Sequence, residues 1–195
     1  GRIGNLHGTN IQNFVPDAEV VIVADPFMNE KMEEWAKSIG ISRCSKDPED
    51  VFSAADVDAV FICSSTNTHA EFMIRAAKAG KHIFCEKPIA VNYELAREMA
   101  EEANKRGLML NIGVCNRFHK SVEMLAQMNA EGKFGKIYHV YCSFRSFRSI
   151  PGLGGSFTTK AHSGGGVLID WGVHFFDLIL YILGGAKLEN VTCDA

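Results

Sequence analysis

Up to residue 113 the hydrophobic positions fall into short continuous runs separated by longer amphipathic ones. Glu19-Val20-Val21-Ile22-Val23-Ala24 is β-branched and stops at Asp25-Pro26, and shorter runs follow at Ile41–Cys44, Asp58–Cys63, His82–Cys85 and Leu108–Gly113. Helical spacing covers 28–39, a segment opened by Asp47-Pro48-Glu49-Asp50, about 68–79 and about 92–106, the last two closed by Gly80 and Gly107. An early Pro and first-turn acids suit a helix start, and a glycine suits its left-handed end. Near-continuous apolar strands separated by helices predict a parallel sheet covered on both faces.

After residue 114 the rhythm changes. The pattern predicts a helix at about 119–130, a long strand near 136–147, a glycine-rich loop at 151–166, an apolar helix at about 165–183 and a strand near 188–193. The fold class expected is therefore α/β: a Rossmann-type doubly wound parallel sheet over 1–114, then the start of an α+β domain over 115–195. Both ends are expected to be incomplete, because a doubly wound sheet needs a strand before its first helix and two strands cover the second region poorly. No internal repeat or low-complexity segment interrupts the pattern.

Composition narrows the function classes. With 47% hydrophobic residues among 195, the chain can build one large core or two small ones. A net charge of −3 without a basic cluster argues against nucleic acid or an anionic membrane as partner. The longest apolar stretch, Val167 to Leu183, carries Asp170, His174 and Asp177. Ionised groups there would cost about 2.5–3.5 kcal/mol each at a bilayer centre, so a buried helix is expected, with no membrane span. The opening Gly1-Arg2-Ile3-Gly4 is no signal peptide, and the six cysteines form no C-x-x-C pair. Reduced thiols in a cytoplasmic protein follow.

Candidate chemistry gathers at the predicted carboxyl ends of strands, where open α/β sheets bind ligands. Gly1-x-x-Gly4 ahead of a helix matches the tail of a G-x-G-x-x-G fingerprint, in which backbone amides meet a pyrophosphate; two glycines also fit a simple turn. Asp25, about 20 residues on, is placed to hold ribose hydroxyls and to repel a 2′-phosphate, favouring NAD over NADP. The competing reading is a cap on the next helix. Ser64-Ser65-Thr66-Asn67-Thr68-His69 offers hydroxyls and an amide to ribose and nicotinamide, or helix capping. In Cys85-Glu86-Lys87-Pro88 the proline holds Lys87 out of helical geometry, so the amine can serve a substrate hydroxyl or lie loose on the surface.

The most informative stretch runs from Gly164-Gly165-Gly166 to Asp177. On a helix Asp170, His174 and Asp177 fall at i, i+4 and i+7, one polar stripe on an apolar helix. A carboxylate one turn from an imidazole fixes its tautomer and raises its basicity, which is what a general base requires. A structural hydrogen-bond network is the competing explanation. A metal is not expected, since no second His–carboxylate cluster completes a ligand set. Arg145 and Arg148 near the long strand, and a lid over 152–166, are weaker candidates.

Together these motifs resemble the Gfo/Idh/MocA family of oxidoreductases, to which inositol 2-dehydrogenases belong. The resemblance rests on Gly1-Arg2-Ile3-Gly4, Ala24-Asp25-Pro26, Ser65-Thr66-Asn67-Thr68-His69, Gly80 through Pro88, Asn116-Arg117-Phe118 and Gly164 through Asp177. It implies a Rossmann domain followed by a mostly antiparallel sheet, and a homo-oligomer, dimer or tetramer. It also implies NAD held by Gly1, Arg2, Ile3, Gly4, Asp25, Ser64, Thr66, Asn67, His69, Glu86, Lys87 and Asn116. Catalysis then falls to Lys87, Asp170 and His174, and substrate contact to Arg117 and Asp177. The implied reaction is hydride transfer between a secondary hydroxyl of a sugar or cyclitol and the nicotinamide. NAD-assisted glycoside cleavage and a non-catalytic nucleotide sensor are the rival expectations, and the Lys87–Asp170–His174 set argues against the sensor.

Overall fold

A computed structural model describes residues 1–145, 147, 155 and 158–192. They form two compact units, Gly1–Gly113 with Ala161–Gly164, and Val114–Lys160 with Gly165–Ala195.

The first unit runs α1 (Arg2–Phe14), β1 (Ile22–Ala24), α2 (Glu30–Ser38), β2 (Arg43–Ser45), α3 (Glu49–Phe52), β3 (Ala59–Ile62), α4 (Thr66–Lys78), β4 (His82–Cys85), α5 (Tyr93–Lys105) and β5 (Leu110–Ile112). Every strand pair is parallel: β1 with β2, and β3-β4-β5 in that order, with Ile62 opposite Cys85 and Cys85 opposite Ile112. In a doubly wound sheet the strand preceding the first helix lies between such ladders. The chain opens directly into α1, and among the described residues no strand joins the two.

Alternation along the strands sets the core. Val60, Ile62, Ile83 and Cys85 face inward against Met73, Ala76 and Ala77 of α4 and Met99 of α5. The opposite face carries Phe61, which is 44% exposed although it stacks on Phe84 at 4.7 Å. The expectation of a sheet covered on both faces therefore holds for one face, because α1 shields only part of the other. Gly8, buried in α1, lets that helix approach α2: a Cβ there would lie 3.0 Å from the Trp35 ring. Asn29 and Asn92 cap α2 and α5 by accepting from Met32 N and Leu95 N. Helix α4 begins two residues before the expected start, so Thr66 and Asn67 belong to its first turn rather than to a loop.

The second unit is helical among its described residues. A 3-10 turn (Cys115–Phe118) leads into α6 (Lys120–Ala130). After a short α7 (Lys160–Ser163), a π-helical turn (Leu168–Gly172) leads into α8 (Val173–Leu183), which ends on Gly184 at φ +72°. The strands expected near 136–147 and 188–193 are not formed at 137–145 or 186–192, so the antiparallel sheet is not seen among the described residues. Both runs are apolar enough for strands, but a strand is defined by its ladder and neither finds a partner here. Arg148, much of the glycine-rich loop and Cys193 lie outside the described residues.

The apolar helix also departs from expectation. Of α8 only His174 is buried; Phe176 is 54% exposed and Val167, just before the π-helical turn, 74%. The rest of α8 is half-buried except Phe176 and Tyr181, with α6 packed along it. The stretch Lys160–Leu183 has the length and mean hydropathy, 1.6, of a membrane-crossing helix. It bends at Gly164, φ +80°, and its later part carries Asp170, His174 and Asp177. Cys44, Cys63, Cys85, Cys115 and Cys142 are free thiols.

Candidate active site

In the first unit the expected cofactor residues gather where strands hand over to helices. Asp25 follows β1; its Oδ1 accepts from Phe27 N at 2.9 Å, and its Oδ2 lies 3.2 Å from the amino nitrogen of Gly1. The cap of α2 is Asn29, so Asp25 is not spent on that helix and faces the start of α1 instead. Gly1, Arg2, Ile3 and Gly4 form that start, with no side-chain cap and no first-turn acid. Helix α4 begins the same way, after Ser65. Among the longer helices of this unit, α2 and α5 carry Asn caps and first-turn glutamates, while α1 and α4 carry neither. Uncapped first-turn amides with a partial positive charge suit an anionic ligand, so the residues present fit a dinucleotide pyrophosphate at α1.

Ser64 and Asn67 are exposed and Thr66 half-buried, so all three can meet a ligand. Two other residues expected to do so are turned inward. His69 is 1% exposed, with Nδ1 2.9 Å from Pro88 O and Nε2 3.2 Å from Ser64 O. A side chain so enclosed ties two loops together and offers no surface to a cofactor. Glu86 gives Oε1 to His7 Nε2 at 2.6 Å and Oε2 to its neighbour Lys87 N at 3.1 Å. Burial pushes its carboxyl up, but the His7 hydrogen bond, followed by His7's charge and the Lys87 contacts, holds it below the ordinary range. Lys87 is half-buried and precedes buried Pro88 across a cis peptide bond. The nearby thiols are inert: burial, with the Glu86 charge behind it, pushes Cys63 up to about 12, and burial raises Cys85 as well.

His7 was not singled out from the sequence. It lies three residues beyond Gly4, and nothing in that spacing points to a carboxylate 79 residues away. Its ring also packs edge-on to Phe84 at 5.1 Å.

In the second unit, Asn116 and Arg117 sit half-buried in the 3-10 turn. Arg117 grips Asp177 with two hydrogen bonds, Nε to Oδ2 at 2.9 Å and a second from Nη2 to Oδ1, and its guanidinium lies 5.2 Å from the Tyr181 ring centroid. The two residues expected to contact substrate are thus engaged with each other, bracing the turn to α8. That bond, against the opposing pull of burial, holds the Arg117 guanidinium above its usual range. Asp170 lies in the π-helical turn and His174 at the start of α8, 7% exposed, with the Trp171 ring 5.9 Å away. Trp171 stacks on Phe144 at 4.7 Å, giving the imidazole an aromatic wall. Among the described residues no cluster of His, Cys, Asp and Glu could hold a metal ion.

Parallel strands, helix starts at their carboxyl ends and an acid after β1 define a dinucleotide-binding α/β protein with a second, smaller unit. The chain belongs to the Gfo/Idh/MocA family: residues 1–114 match the model described as "Oxidoreductase family, NAD-binding Rossmann fold", and 122–195 match the "GFO/IDH/MocA C-terminal domain". It is 33% identical over 194 residues to the myo-inositol 2-dehydrogenase of Thermotoga maritima, covering 100% of this chain and 55% of that protein. It is 34% identical over 176 residues to the D-glucoside 3-dehydrogenase of Escherichia coli, covering 90% and 50%. Among solved structures, it resembles the scyllo-inositol dehydrogenase of Lactobacillus casei with bound NAD(H) and scyllo-inositol, at TM-score 0.76 and 26% identity over 94% of this chain and 54% of that one. The chain spans about half the length of the curated relatives it matches.

Proposed function

We propose that this chain carries the NAD-binding portion and part of the substrate portion of a dehydrogenase that oxidises a secondary hydroxyl of a cyclitol or sugar. The observation that carries the reading is the pairing of an uncapped α1 start with Asp25 at the end of β1, in a chain similar throughout to inositol and glucoside dehydrogenases.

Gly1, Arg2, Ile3 and Gly4 present backbone amides to the pyrophosphate, and Asp25 accepts from the adenosine ribose. The same carboxylate repels a 2′-phosphate, which selects NAD over NADP. Ser64, Thr66 and Asn67 border the dinucleotide from the start of α4, and Asn116 supplies an amide from the second unit. Bound NAD supplies the hydride acceptor. Lys87 donates a hydrogen bond to the substrate oxygen and stabilises its negative charge as the proton leaves. His174 takes that proton, and Asp170 orients the imidazole and stabilises its charged form. The Arg117–Asp177 brace ties α8, which carries His174, to the 3-10 turn of its own unit.

The test is absorbance of NADH on mixing the full-length protein with NAD and a panel of inositols, aldoses and glycosides. Lys87→Ala should cut turnover to a small residual rate and leave NAD binding intact. Unimpaired turnover in that variant discards the assignment.

A further inference from the structure

The hydride-transfer reading leaves three side chains of the first unit without a task, and all three converge on Glu86-Lys87-Pro88. From α1, His7 Nε2 meets Glu86 Oε1 at 2.6 Å; the other carboxylate oxygen accepts from Lys87 N at 3.1 Å. Glu86 therefore bridges a helix to the backbone of the lysine. The pair is enclosed, with side chains 25% and 14% exposed. Its enclosure includes Gly113, where a Cβ would lie 3.0 Å from Glu86 Oε2. From α4, His69 holds Pro88 O at 2.9 Å and Ser64 O at 3.2 Å. Both of its ring nitrogens thus face carbonyl oxygens, one from each loop.

We infer that His7 and Glu86 on one side, and His69 on the other, are positioning residues that fix the backbone of Lys87 and so deliver its amine to one place. A lysine side chain is long and rotamer-rich, so its aim depends on a fixed root. Carboxylate acceptors make hydrogen bonds about twice as strong as neutral ones, and here one carboxylate serves both the helix and the lysine N–H. Each carboxylate oxygen accepts one hydrogen bond from the protein, which ties Glu86 to both partners. The inference rests on the assignment of Lys87 to the substrate oxygen.

The experiment uses the full-length protein with NAD and its best polyol substrate. His7→Ala and Glu86→Gln should each lower kcat roughly tenfold to a hundredfold, the loss expected from a displacement of about 1 Å at the reacting groups. NAD affinity and substrate KM should stay within about threefold of the parent, since bound and transition states are separated by this split. The double variant should be no slower than the worse single one, because the two side chains act as a unit. His7→Gln, which keeps a donor, should recover much of what His7→Ala loses. In a Lys87→Ala background neither substitution should reduce the residual rate further.

Unchanged kcat in His7→Ala and Glu86→Gln, alongside a Lys87→Ala cut to its residual rate, overturns the positioning role alone. So does an equal loss with or without Lys87, or a loss confined to NAD affinity. Full turnover in Lys87→Ala overturns the hydroxyl-oxidation assignment instead. His69→Asn is the third arm; if circular dichroism shows it unfolded, the His7 and Glu86 variants decide.

Discussion

The two units differ most in what they bury. Among the described residues every buried hydrophobic side chain lies in the first unit, from Met28 to Ala103, while the second contributes one buried residue, His174. The first unit closes its own core around β3, β4, α4 and α5. The second packs α8 on α6 and Phe144 on Trp171, and adds polar contacts: the Arg117–Asp177 pair and Asn129 Nδ2 donating to Ile182 O at 3.0 Å. An apolar sequence alone does not make an interior, since α8 is the most hydrophobic helix of the chain and only one of its residues is buried. Full burial needs layers on more than one side, and among the described residues of its unit α8 packs on α6 and the 3-10 turn.

That contrast can be broken by substitution in the 195-residue chain, followed by urea unfolding. Met73→Ala, at 1% exposure, should cost about 2–5 kcal/mol, whereas Phe176→Ala, at 54%, should stay within about 0.5 kcal/mol. Equal losses would erase the distinction. Gly8→Val should cost about 1–3 kcal/mol, because a Cβ there already lies 3.0 Å from the Trp35 ring and the added methyls crowd it further. Arg117→Ala should cost about 1 kcal/mol, a figure kept low because the guanidinium is 36% exposed and screened by water. A larger loss would mean that the second unit depends on this pair more than its exposure suggests.

The smallest effect concerns acid. The folded protein holds the Glu86 carboxyl below its ordinary range, so its contribution to stability is fully present above the unfolded value, about 4.3. It is lost as the pH falls through that value to the depressed folded one. Glu86→Gln should therefore flatten the acid limb of a stability–pH profile and leave its neutral-to-alkaline limb parallel to the parent.

Much of the first unit was legible because its signals are local. All five strands lie inside the expected runs or within a residue of them, and α2, α4 and α5 fall near their predicted positions; Gly80 and Gly107 terminate the last two at positive φ. The second unit was less legible because strands at 136–147 and 188–193 depend on partners that the pattern of one segment cannot report. The site divides similarly. Asp25 is at a strand end as its spacing predicted, and Lys87 follows β4. His69, Glu86, Arg117 and Asp177 are polar residues in the right motifs, but which way a polar side chain turns is decided by tertiary neighbours. His7 lay outside every recognised spacing, and only the folded α1 brings it to Glu86.

The π-helical turn at Leu168–Gly172 sets the phase of everything after it. Successive residues of an α-helix are rotated by about 100° around the axis. Deleting one residue from that turn would carry Phe175 round to the bearing His174 now occupies, exchanging an ionisable ring for an inert one without altering any motif letter downstream. A length change there is therefore a more severe alteration than most single substitutions, because it re-aims every side chain of α8 at once.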